Sequence, residues 1–469
     1  MTLTFKDRKD RTSIPITPIE KAVFAAWLKK EPAAMRAWVE TSGFTAEEGR
    51  VSLVPDSKGR LADVLVGVKS QGDLWGLAGL PERLPPGNYW LDARMESRAD
   101  ATHAAIGWAL ACYGFDRYKK PRAKPWPTLV WPDNCDKGLV ARTANAAFLA
   151  RDLINTPSAD MGPAELADAA AKVARKHRAK ITVTVGDRLL KTGYPTVHAV
   201  GRASAREPRL IDVTWGNPKA PKVTLVGKGV CFDSGGLDLK PSSGMLRMKK
   251  DMAGGALMLA LADMIMDAKL PIRLRVLVPA VENSVSGNAM RPLDVIRTRK
   301  GITVEIGNTD AEGRLILCDA LAAADEDKPA LIIDAATLTG AARVAVGAEL
   351  VALFANDDRL AGELLRHGSA EGDPMWRMPL WKGYRAMIDS KVADVNNVSD
   401  GPQAGAITAA LYLNEFVSAA TPWAHLDLYA WNDRARPGRP QGGEAQAIRA
   451  VYAMIAERFG TAAVQPRRR

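Results

Sequence analysis

Cysteine is scarce in this chain of 469 residues: Cys112, Cys135, Cys231 and Cys318 lie far apart, and no two form a Cys-x-x-Cys pair. That excludes a disulfide-stapled scaffold and a cysteine-based zinc knuckle, and it fits a reducing compartment. Histidine is nearly as scarce, and none of His103, His177, His198, His367 and His425 is followed by Glu, so there is no HExxH metal helix. Long apolar runs are also missing. The strongest, Met252 to Met266, is broken by Asp263, and nothing approaches the roughly 18 uninterrupted apolar residues of a membrane span. The opening MTLTFKDRKDRTS lacks the apolar stretch of a secretory signal, so none is expected.

What is present is globular. Apolar residues make up 47% and charged residues 25%, which excludes wholesale disorder, and the length suits two or three domains. The formal charge is +11. It is spread along the chain, with 22 basic and 17 acidic residues up to position 150 and 42 and 36 beyond it. A diffuse excess is weak support for a nucleic-acid footprint.

Pattern predicts an α/β protein: a small N-terminal α/β domain, then a larger α/β domain with a mostly parallel central sheet flanked by helices. Early on, Ala62 to Val68 reads as a buried strand and Ala101 to Tyr113 as an apolar helix. Asp116 to Pro127, rich in proline and charge, reads as a loop. A helical pattern resumes at Lys137 and stops at Asn155-Thr-Pro157, where proline disfavours helix. The division is therefore 1–136, a connecting helix at 137–157, and 158–469, with a disordered basic tail at 465–469. In the larger part, strands are expected at Lys222 to Gly227, Arg273 to Pro279, Ile302 to Ile306 and Leu331 to Ala335. A buried helix is expected at Asp251 to Lys269. Alternation of this kind argues for a buried, largely parallel sheet.

In open α/β sheets, ligands bind beyond the carboxyl ends of strands. Two charged segments leave strand ends: Val226-Gly-Lys-Gly-Val-Cys-Phe-Asp-Ser-Gly-Gly236 continuing to Asp251, and Asn308-Thr-Asp-Ala-Glu-Gly-Arg-Leu315. The first resembles a phosphate loop only superficially, since neither GxxxxGK[ST] nor GxGxxG is satisfied, and a GxSxG elbow fails at Ser234. In the second, Asp310, Glu312 and Arg314 alternate and, if extended, point to one side. A solvated edge would explain that triplet by itself. An apolar strand before it and an apolar helix after it argue for a site. Asp233, Asp251, Asp310 and Glu312 cannot share one without counter-charge, and two divalent ions would balance four carboxylates.

Lys228, Asp233, Lys240, Asp251, Asp310, Glu312 and Arg314, with NTDAEGRL intact at Asn308 to Leu315, resemble the leucine aminopeptidase family of two-metal cytosolic exopeptidases. Asp334-Ala-Ala-Thr-Leu-Thr-Gly340 and Trp423-Ala-His-Leu-Asp427 extend the likeness, which runs from about Leu153 to Leu428. The resemblance implies a tighter metal site on Lys228, Asp233, Asp251 and Glu312, and a more exchangeable one on Asp233, Asp310 and Glu312. A lysine ligand must be neutral, so Lys228 is expected to have a strongly depressed pKa, favoured by burial and neighbouring cations. Lys240 would stabilise the oxyanion, and Arg314 would hold a bicarbonate that moves protons. Met248, Asn308, Thr337, Leu338, Gly340 and Tyr429 would bind substrate. Tyr429 stands where the family has alanine, which would reshape the pocket. The resemblance further implies Mn or Zn, with Co or Mg as alternatives, a homohexamer, a cytoplasmic location, no membrane, and peptides with a free N-terminus as substrates.

Two other readings remain open. DNA binding would use the basic loop Arg117 to Lys124, flanked by Tyr118 and Trp126, and the group Arg434, Arg436 and Arg439. A non-catalytic homologue is disfavoured because all seven site residues are present.

Overall fold

The structure is a computed structural model describing residues 3–93, 97–120 and 122–460. The tail at 465–469 lies outside the described residues. Two compact units are present: one runs to Phe148 and includes Asn432–Gln441, and the other begins at Leu149 and omits that segment.

The first unit is built on a six-stranded sheet ordered Phe5–Lys6, Thr128–Val130, Asn88–Leu91, Ile14–Glu20, Leu61–Val68, Val51–Pro55. All neighbours are parallel except the last pair. The expected strand is thus found at Leu61–Val68 and the expected helix at Arg98–Ala111. Ser97 and Asp100 form a capping box at the start of that helix, satisfying amides that would otherwise lack partners. Ala104 and Trp108 on the helix pack with Ile16, Val64, Val66, Tyr89 and Leu129 of the sheet. The stretch Asp116 to Pro127 carries no helix or strand among its described residues.

The second unit holds a nine-stranded mixed sheet. Its order is Met375–Arg377, Val351–Ala355, Trp423–Asp427, Leu331–Ala336, Lys222–Gly227, Arg273–Asn283, Arg209–Trp215, Lys180–Val185, and Gly229–Asp233 pairs with the far end of Arg273–Asn283. The central strands, from Trp423–Asp427 to Arg273–Asn283, are parallel, and antiparallel strands lie to either side. Burial on both faces explains why these strands read as continuous apolar runs rather than as alternating ones.

Alternate residues of the central strands serve different helices. Val226 and Leu277 join Leu315, Ile316 and other residues of the helix Glu312–Asp325 in one apolar cluster. Gly227, pointing the other way, meets the start of the helix Ala253–Asp267: a Cβ there would fall 2.6 Å from the Gly254 carbonyl oxygen. A Cβ on Gly254 would in turn lie 2.0 Å from the Ala335 oxygen, so only glycine allows this helix so close to the strand ends.

Three expectations need correction. The helix expected from Asp251 starts as a 3-10 turn at Met248–Met252, and α-helix begins only at Ala253. Thr303–Glu305 is a strand, but it belongs to a small separate sheet with Val295–Arg297 and Val395–Asn396. Asp310, Glu312 and Arg314 do not lie along an extended segment. The Asp310 amide donates to Asn308 Oδ1 at 2.7 Å, which bends the chain, and helix begins at Glu312. No helix among the described residues is long and apolar enough to cross a membrane.

Candidate metal centre

The strand ends converge on one place. Lys228 follows the strand Lys222–Gly227, and Asp233, Asn283 and Asp427 are the last residues of their strands. Thr337 follows Leu331–Ala336, Asp251 lies in the 3-10 turn Met248–Met252 just before the helix Ala253–Asp267, and Glu312 opens the helix Glu312–Asp325. Residues from all these elements except Asn283 line a cavity of about 510 Å³.

Lys228 is the hub. Its buried ammonium lies 2.7 Å from Asp251 Oδ2 and 2.9 Å from Glu312 Oε1, and donates to the Thr337 carbonyl at 3.0 Å. Its stem crosses the first turn of the Glu312 helix, where a Cβ on Gly313 would lie 2.6 Å from Lys228 Cε. Glycine in the NTDAEGRL stretch therefore makes room for the lysine. Thr337 Oγ1 donates to Asp251 Oδ1 at 2.7 Å, fixing the second carboxylate. Lys240 Nζ is 2.8 Å from Asp233 Oδ2 and also pairs with Asp310. Oxygens of Asp233, Asp310 and Glu312 all lie within 4.8 Å of one another.

Crowded carboxylates in a buried setting resist ionising. Burial, followed by the charge of Asp233, pushes Asp310 up to about 6 and Glu312 up to about 8. For Asp251 burial works in the same direction, but Lys228 and Lys250 outweigh it and the pKa falls. Burial opposes the charge on Lys228, yet Asp251, Glu312 and Asp233 together prevail and raise its pKa. The depression expected for Lys228 as a metal ligand concerns the ion-loaded site, and the raised value belongs to the site without ions. Without cations, the surrounding carboxylates hold the proton on the lysine, so a neutral amine here depends on metal charge replacing that proton.

Among the described residues, Glu312 Oε2 is buried with no hydrogen-bond partner. Asp251 Oδ2, Asp310 Oδ1 and Glu312 Oε1 form no well-directed hydrogen bond and meet only the lysine ammonium groups. Buried carboxylate oxygens left without donors are costly. An oxygen-rich set of this kind fits hard or borderline divalent ions.

Of the substrate-binding candidates, Met248, Thr337, Leu338, Gly340 and Tyr429 line the cavity, whereas Asn308 does not. Asn308 is tied into the turn: its carbonyl accepts from Asn397 Nδ2 at 2.8 Å and its amide donates to Asn397 Oδ1 at 3.2 Å. Arg314 does not line the cavity either. It donates to the Asn397 carbonyl at 2.7 Å, and its buried Nε has no hydrogen-bond partner.

Several residues that hold the site together carried no signal in the sequence. Asn397 clamps the acidic turn, and Asn283 Nδ2 donates both to Asp233 Oδ1 at 2.9 Å and to the Thr309 carbonyl at 3.1 Å. Thr309 Oγ1 donates to the Gly235 carbonyl at 2.7 Å, locking the two acidic segments together. Asp427 Oδ1 accepts from the amides of Leu338 and Thr339 at 3.0 and 3.1 Å, and so shapes one wall of the cavity. Thr309 and Asp427 did fall inside the NTDAEGRL and WAHLD stretches, though no role was read for them, whereas Asn283 and Asn397 had no clue.

Residues 148–452 match the catalytic domain of the cytosol aminopeptidase family, and residues 14–132 match the M17 aminopeptidase N-terminal domain. The chain belongs to the cytosol aminopeptidase family. It is a metal-dependent enzyme of the cytosol-aminopeptidase type, and the two-metal mechanism is that of the M17 family. A probable cytosol aminopeptidase of Roseiflexus castenholzii is 45% identical over 66% of this chain and 64% of its own length. The crystal structure of a cytosol aminopeptidase from Coxiella burnetii is 47% identical and superposes with a TM-score of 0.94, covering 97% of this chain and 99% of that one. The bottromycin maturation enzyme BotP, in complex with Mn, is 34% identical with a TM-score of 0.86, covering 96% of this chain and 100% of that one. The N-terminal match has no counterpart among the motifs read from the sequence, which all lie beyond residue 152.

The residues considered for DNA binding all fall in the first unit. Arg122 stacks on Trp126 at 3.8 Å, Arg117 lies over Tyr118 at 5.6 Å, and Arg439 lies over Trp75 at 4.2 Å. These pairs place three of the cations against aromatic faces within that unit.

Proposed function

We propose that this protein removes the N-terminal residue from peptides bearing a free α-amino group, using two divalent metal ions. The observation that carries the proposal is Glu312 Oε2, buried without a hydrogen-bond partner beside Asp233 and Asp310. Lys228, Asp233, Asp251 and Glu312 would hold the tighter ion. Asp233, Asp310 (side chain and carbonyl) and Glu312 would hold the more exchangeable one. Side-chain exposure of 32% at Asp310, assigned to the second ion alone, against 5% at Asp251, assigned to the first alone, supports that order. Mn or Zn are the proposed occupants, with Co or Mg as alternatives. When bound, such ions lower the pKa of water to about 7 and so supply a nucleophile at neutral pH.

The chain's own residues do the remaining work. Lys240 is given no ion to coordinate and so keeps a charged role; with no metal bound, burial opposes its charge, but Asp233 and Asp310 raise its pKa. It would therefore face the scissile carbonyl as a cation and stabilise the oxyanion, a role worth roughly 3–4 kcal/mol. Arg314 cannot act as a base, because guanidinium does not deprotonate in proteins. Its unpartnered Nε suits a small anion, and we assign it the bicarbonate that would carry protons between water and the leaving amine. Met248, Thr337, Leu338, Gly340 and Tyr429 would receive the N-terminal residue, with Asn308 shaping the turn beside them. Tyr429 narrows that space, so the preferred residue would differ from plain leucine. The Tyr429→Ala variant should accept bulkier residues, and an unchanged profile across an aminoacyl panel would count against this. A homohexamer in the cytoplasm completes the proposal; the family's name and the close match to a cytosol aminopeptidase support the location, and the family resemblance implies the hexamer.

The test is hydrolysis of leucine anilide after chelation and after restoring Mn²⁺, Zn²⁺, Co²⁺ or Mg²⁺ in turn. Activity should vanish and return, and N-acetyl-leucine anilide should resist cleavage because its amine is blocked. No hydrolysis with any metal would end the proposal.

A further inference from the structure

The cavity contains more positive charge than the reaction uses. Lys250 is 5% exposed and lines the cavity, yet its ammonium has no ion-pair or hydrogen-bond partner among the described residues. It rests over the Tyr429 ring, 4.8 Å from the centroid. Arg343, on the exposed surface of the short helix Gly340–Val346, lies 5.1 Å from the same ring and pairs with no carboxylate among the described residues. Arg247 donates to Tyr429 Oη at 3.4 Å. All four residues line the same cavity.

Acidic groups in that cavity make their ion pairs and hydrogen bonds elsewhere, and Asp251 and Asp427 reach Lys250 only through charge at longer range. Asp251 pairs with Lys228, Asp233 and Asp310 pair with Lys240, and Asp427 accepts from the amides of Leu338 and Thr339. A ring face offsets only a small part of the cost of taking an ammonium out of water. Removing one charge without a partner is the arrangement that proteins avoid unless a ligand completes it. A planar guanidinium beside it matches a carboxylate better than any other common peptide group.

We propose that Lys250, Arg343 and Arg247, arranged around Tyr429, form a subsite for a carboxylate carried by the substrate. That carboxylate is either the side chain of an N-terminal aspartate or glutamate, or the C-terminus of a short peptide. The proposal deepens the aminopeptidase reading and rests on it. It makes the enzyme selective for anionic peptides, a choice set by residues that take no part in bond breaking.

Two pairs of substrates, each matched in shape and differing in charge, test it on the purified, metal-restored enzyme. Glutamate anilide against glutamine anilide reports on the side chain, and Leu-Ala against Leu-Ala-amide reports on the C-terminus. In at least one pair, kcat/KM should favour the charged member by about tenfold or more, the scale of a charge-assisted hydrogen bond. The pair showing it identifies the source. That ratio should fall towards one in Lys250→Met, fall in part in Arg343→Gln, and shrink as salt is raised. Arg343 is exposed, so its variant keeps the test decisive even if Lys250→Met does not fold. Ratios near one in both pairs, or a ratio kept in both variants, overturn the subsite while leucine anilide hydrolysis leaves the aminopeptidase reading intact. Inactivity on leucine anilide with every metal overturns that reading and the subsite with it.

Discussion

Asn283 holds Asp233 from behind: its Nδ2 donates to Asp233 Oδ1 at 2.9 Å and, with its other hydrogen, to the Thr309 carbonyl at 3.1 Å. One amide thus joins the end of the strand Arg273–Asn283 to both acidic segments. Asn283→Ala should leave two acceptors unsatisfied in a site where Asn283 itself is buried. Metal affinity should drop about 10- to 100-fold, and the apo-protein should lose about 1–3 kcal/mol of stability. Calorimetric metal titration and thermal melts with and without Mn²⁺ measure both. Wild-type metal affinity in this variant would show that Asp233 needs no such support.

Lys240 has a different role from Lys228, although both pair with carboxylates. Lys228 is sealed between Asp251 and Glu312, whereas Lys240 keeps 15% side-chain exposure on the cavity wall. Lys240→Met should therefore retain metal binding and lower kcat by roughly 10²- to 10³-fold, the effect of losing one oxyanion donor. KM should change far less. A loss confined to KM would assign Lys240 to substrate binding instead.

Asp427 supports the cavity wall from the neighbouring strand. Its Oδ1 accepts from the Leu338 and Thr339 amides, and its Oδ2 accepts from Thr339 Oγ1 at 2.6 Å. Burial raises its pKa against the pull of His425, so a neutral side chain is tolerable there. Asp427→Asn should keep the two backbone bonds and behave almost as wild type. Asp427→Ala should free the Thr337–Gly340 stretch, raise KM for aminoacyl anilides several-fold and lower Tm by a few degrees. Equal behaviour of the two variants would contradict this account.

Asp319, fully buried on the Glu312–Asp325 helix, accepts from the amides of Thr196 and Arg299 at 2.9 and 2.8 Å. Burial nonetheless pushes its pKa up to about 6 from the usual 3.8. The folded state then binds this proton more tightly than the unfolded state does. Its contribution is greatest below about pH 4 and is lost as pH rises through about 6, on the order of 2–3 kcal/mol. Asparagine keeps only one of the two acceptors and does not titrate. The Tm gap between wild type and Asp319→Asn should accordingly be wider at pH 4.5 than at pH 7. A gap independent of pH would remove Asp319 as a titrating group.

The chemistry of the centre was legible because it is local. A carboxylate or an amine announces itself by residue type, and the fixed spacing of Lys228, Asp233, Lys240 and Asp251 and the unbroken NTDAEGRL stretch hold most of the cluster. Buried parallel strands were equally readable, since both faces of the strands Lys222–Gly227 and Leu331–Ala336 are covered and the segments are apolar throughout. The extended reading of Asp310, Glu312 and Arg314 failed for a physical reason. Alternation cannot distinguish a strand from a turn entering a helix, and the Asn308 side chain chose the turn by accepting the Asp310 amide.

By itself, then, the sequence determined the α/β class and singled out the acidic residues that the fold gathers into one cluster able to hold a metal ion. Only the tertiary structure decided what surrounds those residues. Asn283, Asn397 and Asp427 are distant in sequence from the groups they hold, and an amide or a carboxylate without a motif looks like any surface residue until the fold buries it. The carboxylates that favour a proton on Lys228 in the absence of metal, and the lack of an ion-pair partner for Lys250 among the described residues, come from the fold in the same way. Both depend on which carboxylates lie within a few ångströms, a fact that strand order and helix placement supply and spacing along the chain does not.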